Sequence, residues 1–174
     1  MKKNILIFGG ISGLLICGMM VSMLVMCYSS KEFEPNDVLG YASMIVAFSF
    51  VFVGIKNYRD KYNAGVISFG KAFKVGLLIT LVASTMYVAT WLVAYYNFFP
   101  DFMDKYCTRM TEHAAKSGAT ASELASQKQA MANMKEWYKN PLFVVLITYS
   151  EVLPIGLIVA LISALILKRK TQKK

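Results

Sequence analysis

Raw material for chemistry is scarce in this chain: its 174 residues include one histidine, three cysteines and ten acidic side chains. The histidine, His113, stands without the cysteine, histidine or acidic spacing that a metal site needs, and reads as a solvated helix residue. Cys17 and Cys27 fall ten residues apart on one apolar run, about 15 Å along a helix, so they cannot bond each other. Cys27 and Cys107 fall on the same side of the chain's layout, where a bridge is open to them, although two thiols are the simpler reading. No nucleophile–base pair and no metal-ligand set is found, so neither an enzymatic reaction nor a cofactor is expected. Charge is missing from a different place: the long apolar stretches contain no lysine or arginine and one acid, Glu151.

What the chain has in abundance is apolar sequence. Hydrophobic side chains make up 56% of it. They gather in four runs, 5–27, 38–55, 75–96 and 142–167, closed by lysines, arginines or turn residues. At a rise of about 1.5 Å per residue each run is long enough to cross a hydrocarbon core of ~30 Å, and no water-soluble domain of this size needs four. The fold class predicted is an all-α membrane protein, a bundle of four transmembrane helices in a single integral domain over 1–174. Lys2 and Lys3 before the first run imitate a signal peptide, but the run is long and lacks a small-x-small cleavage site with a polar start behind it. A lipoprotein site would need a small residue before Cys17, where Ile16 stands. The first run is expected to remain as a span.

The net charge of +9 would point to nucleic acid in a soluble protein; here its distribution matters more than its sum, and no nucleic acid partner is expected. The two ends and the second connection carry twelve bases against a single acid, Asp60. The first and third connections carry seven bases against eight acids. By the positive-inside rule both termini and the second connection are cytoplasmic, and the first and third connections face outward.

The first connection is short and polar and contains Pro35, so the first two spans should lie antiparallel and adjacent. In the second, residues 56–74, the half-apolar part offers two readings. It forms a short helix at the membrane surface with Phe69 and Phe73 inserted, or Ser68 to Lys74 is the first turn of span three. The third, residues 97–141, reads as an extracytoplasmic helical hairpin between spans three and four. Pro100 and Asp101 start its first helix and Gly118 ends it, with Phe102, Tyr106, Met110 and His113 at helical spacing. Thr120 with Glu123 three residues on forms a capping box for a second helix striped by Leu124, Met131, Met134 and Tyr138, which Asn140-Pro141 stops. The stripes are expected to pack on each other or on the membrane, though a partner groove would use the same adaptable methionines. Trp91, Tyr95, Tyr96, Phe98, Phe99, Trp137 and Tyr138 form an aromatic belt at the outer interface.

Glu151 invites a mechanism. It lies nine residues into its run, about 14 Å along the axis, where an ionised group costs at least ~2.5–3.5 kcal/mol. It should therefore face the bundle. Three residues later Pro154 frees the Ser150 carbonyl, making residues 148–154 one polar, kinked segment that includes Tyr149. Matched by depth, Ser22, Ser49, Ser84, Tyr87 and Thr90 fall near the same level. These hydroxyls would hydrogen-bond a neutral Glu151 in a purely structural role. The functional reading is a proton or cation site at an interrupted helix. Gly9, Gly13 and Gly18 on the first span, and Gly156, Ala160 and Ala164 on the last, offer smooth faces for close contact within the chain or between two copies.

Four stretches together carry a family likeness: Leu39-Gly40-Tyr41-Ala42-Ser43-Met44, Gly54-Ile55-Lys56-Asn57-Tyr58-Arg59-Asp60, Ser68 through Gly76, and Pro154-Ile155-Gly156-Leu157 through Lys168. In them, and in order over nearly its whole length, the chain resembles domain-of-unknown-function family 4199, small bacterial membrane proteins. The resemblance implies a four-span inner-membrane protein and no activity. It makes Tyr58, Arg59, Phe69, Glu151, Pro154 and Gly156 candidates without roles.

The leading functional expectation is a non-enzymatic membrane component of the bacterial inner membrane, acting through helix–helix or hairpin contacts with a second copy or another envelope protein. The alternative is a small proton- or cation-coupled carrier using Glu151, with Tyr149, Pro154, Tyr87 and Ser49 around it. The surroundings of Glu151 discriminate: a dry shell of hydroxyls favours the first, a cavity reaching one membrane face the second.

Overall fold

The computed structural model describes residues 1–30, 33 and 35–169. Lys31, Glu32 and Glu34 of the first connection and Lys170, Lys173 and Lys174 of the tail, which entered the charge count, lie outside the described residues. The described chain is all-α. Six helices follow one another: α1 Lys2–Ser29, α2 Asp37–Tyr62, α3 Phe69–Asn97, α4 Phe102–Lys116, α5 Ala121–Tyr138 and α6 Pro141–Leu167. Four of them, α1, α2, α3 and α6, are long and apolar enough to cross a membrane.

Each long helix outruns its apolar run. α2 continues seven residues beyond Ile55, to Tyr62, because backbone hydrogen bonding does not require apolar side chains and Tyr58 still buries its ring. Of the two readings for Phe69 and Phe73, the structure takes the simpler. Ser68 caps α3, accepting from the Lys71 N–H, and both phenylalanines belong to the first turns of that helix. Asn140 and Pro141 both end α5 and begin α6, with the Asn140 side chain as cap and Pro141 in the first turn.

The bundle is a four-sided arrangement in which α3 lies against α1 and α6, α2 lies against α1 and α6, and α2 and α3 also touch across the middle. At the end that carries the chain termini, helices approach through small residues. A Cβ on Gly156 would come within 2.9 Å of the Phe48 ring and closer still to Thr80. Ala160 and Ala164 on the same face are fully buried. Gly9 and Gly13 serve α1 in the same way against Val82 and Met86 of α3, whereas Gly18 meets nothing within 4 Å. Buried hydrogen bonds cross these seams: Asn4 Nδ2 donates to the Gly54 carbonyl at 2.9 Å, Ser12 Oγ to the Ala47 carbonyl at 2.8 Å, and Thr80 Oγ1 to the Gly156 carbonyl at 3.2 Å. Short antiparallel pairing of Ile67 with Arg169 closes this end.

The opposite end carries the hairpin of α4 and α5, which packs on the bundle through a second apolar cluster. Met20 and Leu24 of α1, Trp91 and Tyr95 of α3, Met103 and Cys107 of α4, Tyr138 of α5 and Val144 of α6 meet there. The expected stripes are used in this contact and between the two helices. Phe102 meets Trp91 edge-on at 5.0 Å between ring centres, and Tyr95 meets Tyr138 at 5.3 Å.

Candidate functional site

Between the hairpin and the bundle lies a cavity of about 510 Å³ to which all six helices contribute. Its walls are methionine and aromatic: Met20, Met23 and Met26 from α1, Met44 from α2, Met103 from α4 and Met134 from α5 stand with Tyr87 and Trp91 of α3, Phe102 and Tyr106 of α4, and Tyr138 of α5. Ser30, Pro35 and Asn36 of the α1–α2 connection reach its rim, with Asp37 in the first turn of α2. Thr148 and Glu151 of α6 complete the lining. Two acids are present, and among the described lining residues no lysine, arginine or histidine faces them.

The position of Glu151 follows from helix geometry. Seven residues after Val144, it points within about 20° of the same direction. Val144 is fully buried against the hairpin cluster, yet Glu151 is exposed. Glu151 lines the cavity. Thr148, one turn earlier on the cavity wall, satisfies its hydroxyl by donating to the Val144 carbonyl at 2.7 Å and leaves the carboxylate alone.

The hydroxyls matched to Glu151 by depth are dispersed by direction. Tyr87 lines the cavity with Glu151. Ser49 is exposed and donates to the Val46 carbonyl at 2.6 Å, Ser22 donates to the Gly18 carbonyl at 2.8 Å, and Thr90 is held by the Met86 carbonyl and Cys17 Sγ. Tyr149 turns to the α3–α6 seam, where its hydroxyl lies 2.8 Å from Thr85 Oγ1. Ser84 is buried away from any partner atom. Pro154 sits on an exposed flank within an unbroken α6, outside the cavity.

The other sequence candidates gather at the terminal end, remote from the cavity. Tyr58 stacks on Tyr62 and lies beneath the Lys71 ammonium, 5.5 Å from its ring centre. Arg59 pairs with Asp60 at 2.6 Å and reaches the Leu167 carbonyl at 3.4 Å. Phe69 stacks on Phe73. This is a clasp joining α2, the start of α3 and the end of α6.

Electrostatics ties the hairpin down over the cavity. The Tyr28 hydroxyl donates to Asp101 at 2.8 Å, and Lys105 bonds the same carboxylate at 2.8 Å while sitting 4.2 Å above the Tyr28 ring. These donors hold the Asp101 carboxyl below the usual carboxylate range. Lys135 of α5 bridges to Asp104 of α4 at 2.8 Å, which keeps the ammonium above its ordinary value. Burial, reinforced by the Asp37 and Glu151 charges, pushes the Tyr106 phenol up, so it lines the cavity as a neutral hydroxyl. Cys107 is buried between the hairpin helices, 3.7 Å from the Met131 carbonyl; it forms no disulfide with Cys27.

Of the residues the sequence reading places around Glu151, Tyr87 lines the cavity with it; Asp37 and, apart from Met134 in the hairpin stripe, the lining methionines are not among its candidates. A signal existed: six of the chain's eleven methionines line this one cavity. They come from four helices, and no spacing rule along the chain gathers them.

The family described as protein of unknown function (DUF4199) matches residues 7–169, and the chain belongs to that family. No curated protein and no solved structure matches it. Family and helices together make it a multi-pass integral membrane protein.

Proposed function

We propose that this chain is a small proton- or cation-coupled carrier in which Glu151 binds and releases the cation, without bond-making chemistry. The observation that supports it is the exposure of the Glu151 carboxylate to a cavity that reaches the first connection. A carboxylate kept only to join helices would spend its oxygens on the hydroxyls at its depth, yet three of these, Ser22, Ser49 and Thr90, bond to backbone carbonyls of their own helices. Glutamates within spans are costly to retain, and a water-accessible cavity is the setting in which that cost is tolerated for transport. The contact-only reading is less well supported, since the hairpin's apolar stripes are covered by its own bundle.

In proteoliposomes carrying a pH gradient, the wild-type chain should pass protons or monovalent cations, and Glu151→Gln, which keeps shape but cannot titrate, should fold normally and lose that flux at least tenfold. Equal flux through both proteins refutes the reading. The charge distribution supports a bacterial inner-membrane location with both termini cytoplasmic and the hairpin outside. Impermeant thiol reagents on intact cells should then reach cysteines introduced at Ser117 or Ser126 and miss one at Asn63; the reverse pattern inverts the topology.

A further inference from the structure

We propose that the cavity selects an organic cation with a sizeable apolar body, an amphipathic amine or onium ion, over an inorganic ion; this inference rests on the carrier reading and names its substrate class. Three observations converge on it. The volume, about 510 Å³, is that of a small-molecule site, several times what a bare or partly hydrated metal ion fills. The charge is of one sign: Glu151, within a span, and Asp37, in the first turn of α2, have no basic residue beside them among the described lining residues, so a cation is attracted and anionic lipid headgroups are repelled. The walls suit a greasy, positively charged guest. Thioethers of Met20, Met44 and Met134 adapt to irregular apolar shapes, and the lining includes the electron-rich rings of Tyr87, Trp91 and Tyr106, a residue type that attracts cations.

The competing cations fit less well. A hard divalent ion takes six to eight oxygen ligands, and among the described residues no three acidic, histidine or cysteine side chains converge on a point. A soft monovalent metal would accept the thioethers, but it would use neither the volume nor the aromatic faces. Asp37 and Glu151 differ in role: the first, in an exposed helix turn, draws the cation in, and the second holds it. Recognition needs no covalent step.

The test is equilibrium binding of radiolabelled tetraphenylphosphonium to the full chain in neutral-lipid nanodiscs. Saturable one-to-one binding is expected, weakened at least tenfold by Glu151→Gln and several-fold by Asp37→Asn, and unchanged by Ser49→Ala, whose hydroxyl faces away. Neutral triphenylphosphine oxide should compete poorly. Equal binding to wild type and Glu151→Gln, or equal competition by the neutral analogue, overturns the proposal by showing a cavity that takes any apolar guest. Silver ion binding that depends on Met20 and Met44, with no phosphonium binding, overturns it in favour of a soft-metal site. If Glu151→Gln fails to fold, Asp37→Asn at the rim and the neutral competitor decide. Glu151-dependent proton flux without phosphonium binding sinks this inference and leaves the carrier reading standing. Phosphonium binding with no flux of any ion does the opposite.

Discussion

The two ends of the bundle solve helix packing in opposite ways. At the terminal end, glycine, alanine and serine let backbones approach until Thr80 and Ser12 hydrogen-bond to carbonyls of neighbouring helices. At the hairpin end, methionines and aromatics hold the helices apart and leave a cavity. Small residues specify one tight arrangement because nothing can be removed from them and little added. Large flexible residues tolerate an empty space that a ligand can enter. The same four helices are thus closely packed at one end and leave a cavity at the other.

The largest effect should come from adding volume at the tight end. Gly156→Leu drives side-chain atoms into Thr80 and the Phe48 ring, and overpacking there should cost about 3 kcal/mol or prevent assembly. Gly18→Leu on the open face of α1 should be neutral, since nothing lies within 4 Å of a Cβ there. Thermal unfolding in detergent, followed by circular dichroism, separates the two. Equal tolerance would break the comparison.

Removing volume sharpens it. Phe48 is fully buried, and Phe48→Ala should cost about 3–5 kcal/mol. Met23 is half-buried and borders the cavity, so Met23→Ala enlarges a space that already exists and should cost about 1 kcal/mol or less, within the usual range of single substitutions. A similar loss for both, measured by chemical unfolding, would mean the cavity walls are as tightly packed as the core.

The contrast also explains what was legible in the sequence. Spans were readable because hydropathy and length are properties of a segment, as was the Thr120–Glu123 capping box, a local pattern. The apolar run of the second span ends at Ile55 while α2 continues to Tyr62, because apolarity stops there and the helix does not. Ser68 to Lys74 as the first turns of span three was one of two open readings, and α3 beginning at Phe69 with Ser68 as its cap chose it. Glu151 stood out as the one charge inside a run. Its neighbours did not, because depth along a helix is linear in residue number but direction around it turns by about 100° per residue. Ser22 and Ser49 matched by depth and failed by direction, and the methionine cavity needed six helices in place before it existed at all.

The smallest expected effect concerns the hairpin, which covers the cavity and is least bound to the tight end. Thr120 accepts from the Glu123 N–H at 3.3 Å and the Glu123 carboxylate accepts from the Thr120 N–H at 2.8 Å. Thr120→Ala removes one arm and should cost about 1 kcal/mol locally. Because the Thr120 donors lower the Glu123 pKa on folding, this support is present above the unfolded-state value and disappears as pH falls through the lower folded-state value. The loss therefore belongs to acid conditions, below about pH 4, where an ordinary glutamate carboxyl takes up its proton. Amide hydrogen exchange in nanodiscs should show the first turn of α5 exchanging faster in Thr120→Ala at neutral pH, with the bundle interior unchanged. If the exchange of Ile79 and Val152 at the tight end rose in parallel, hairpin and bundle would open as one unit, and the receptive end would have no mobility of its own.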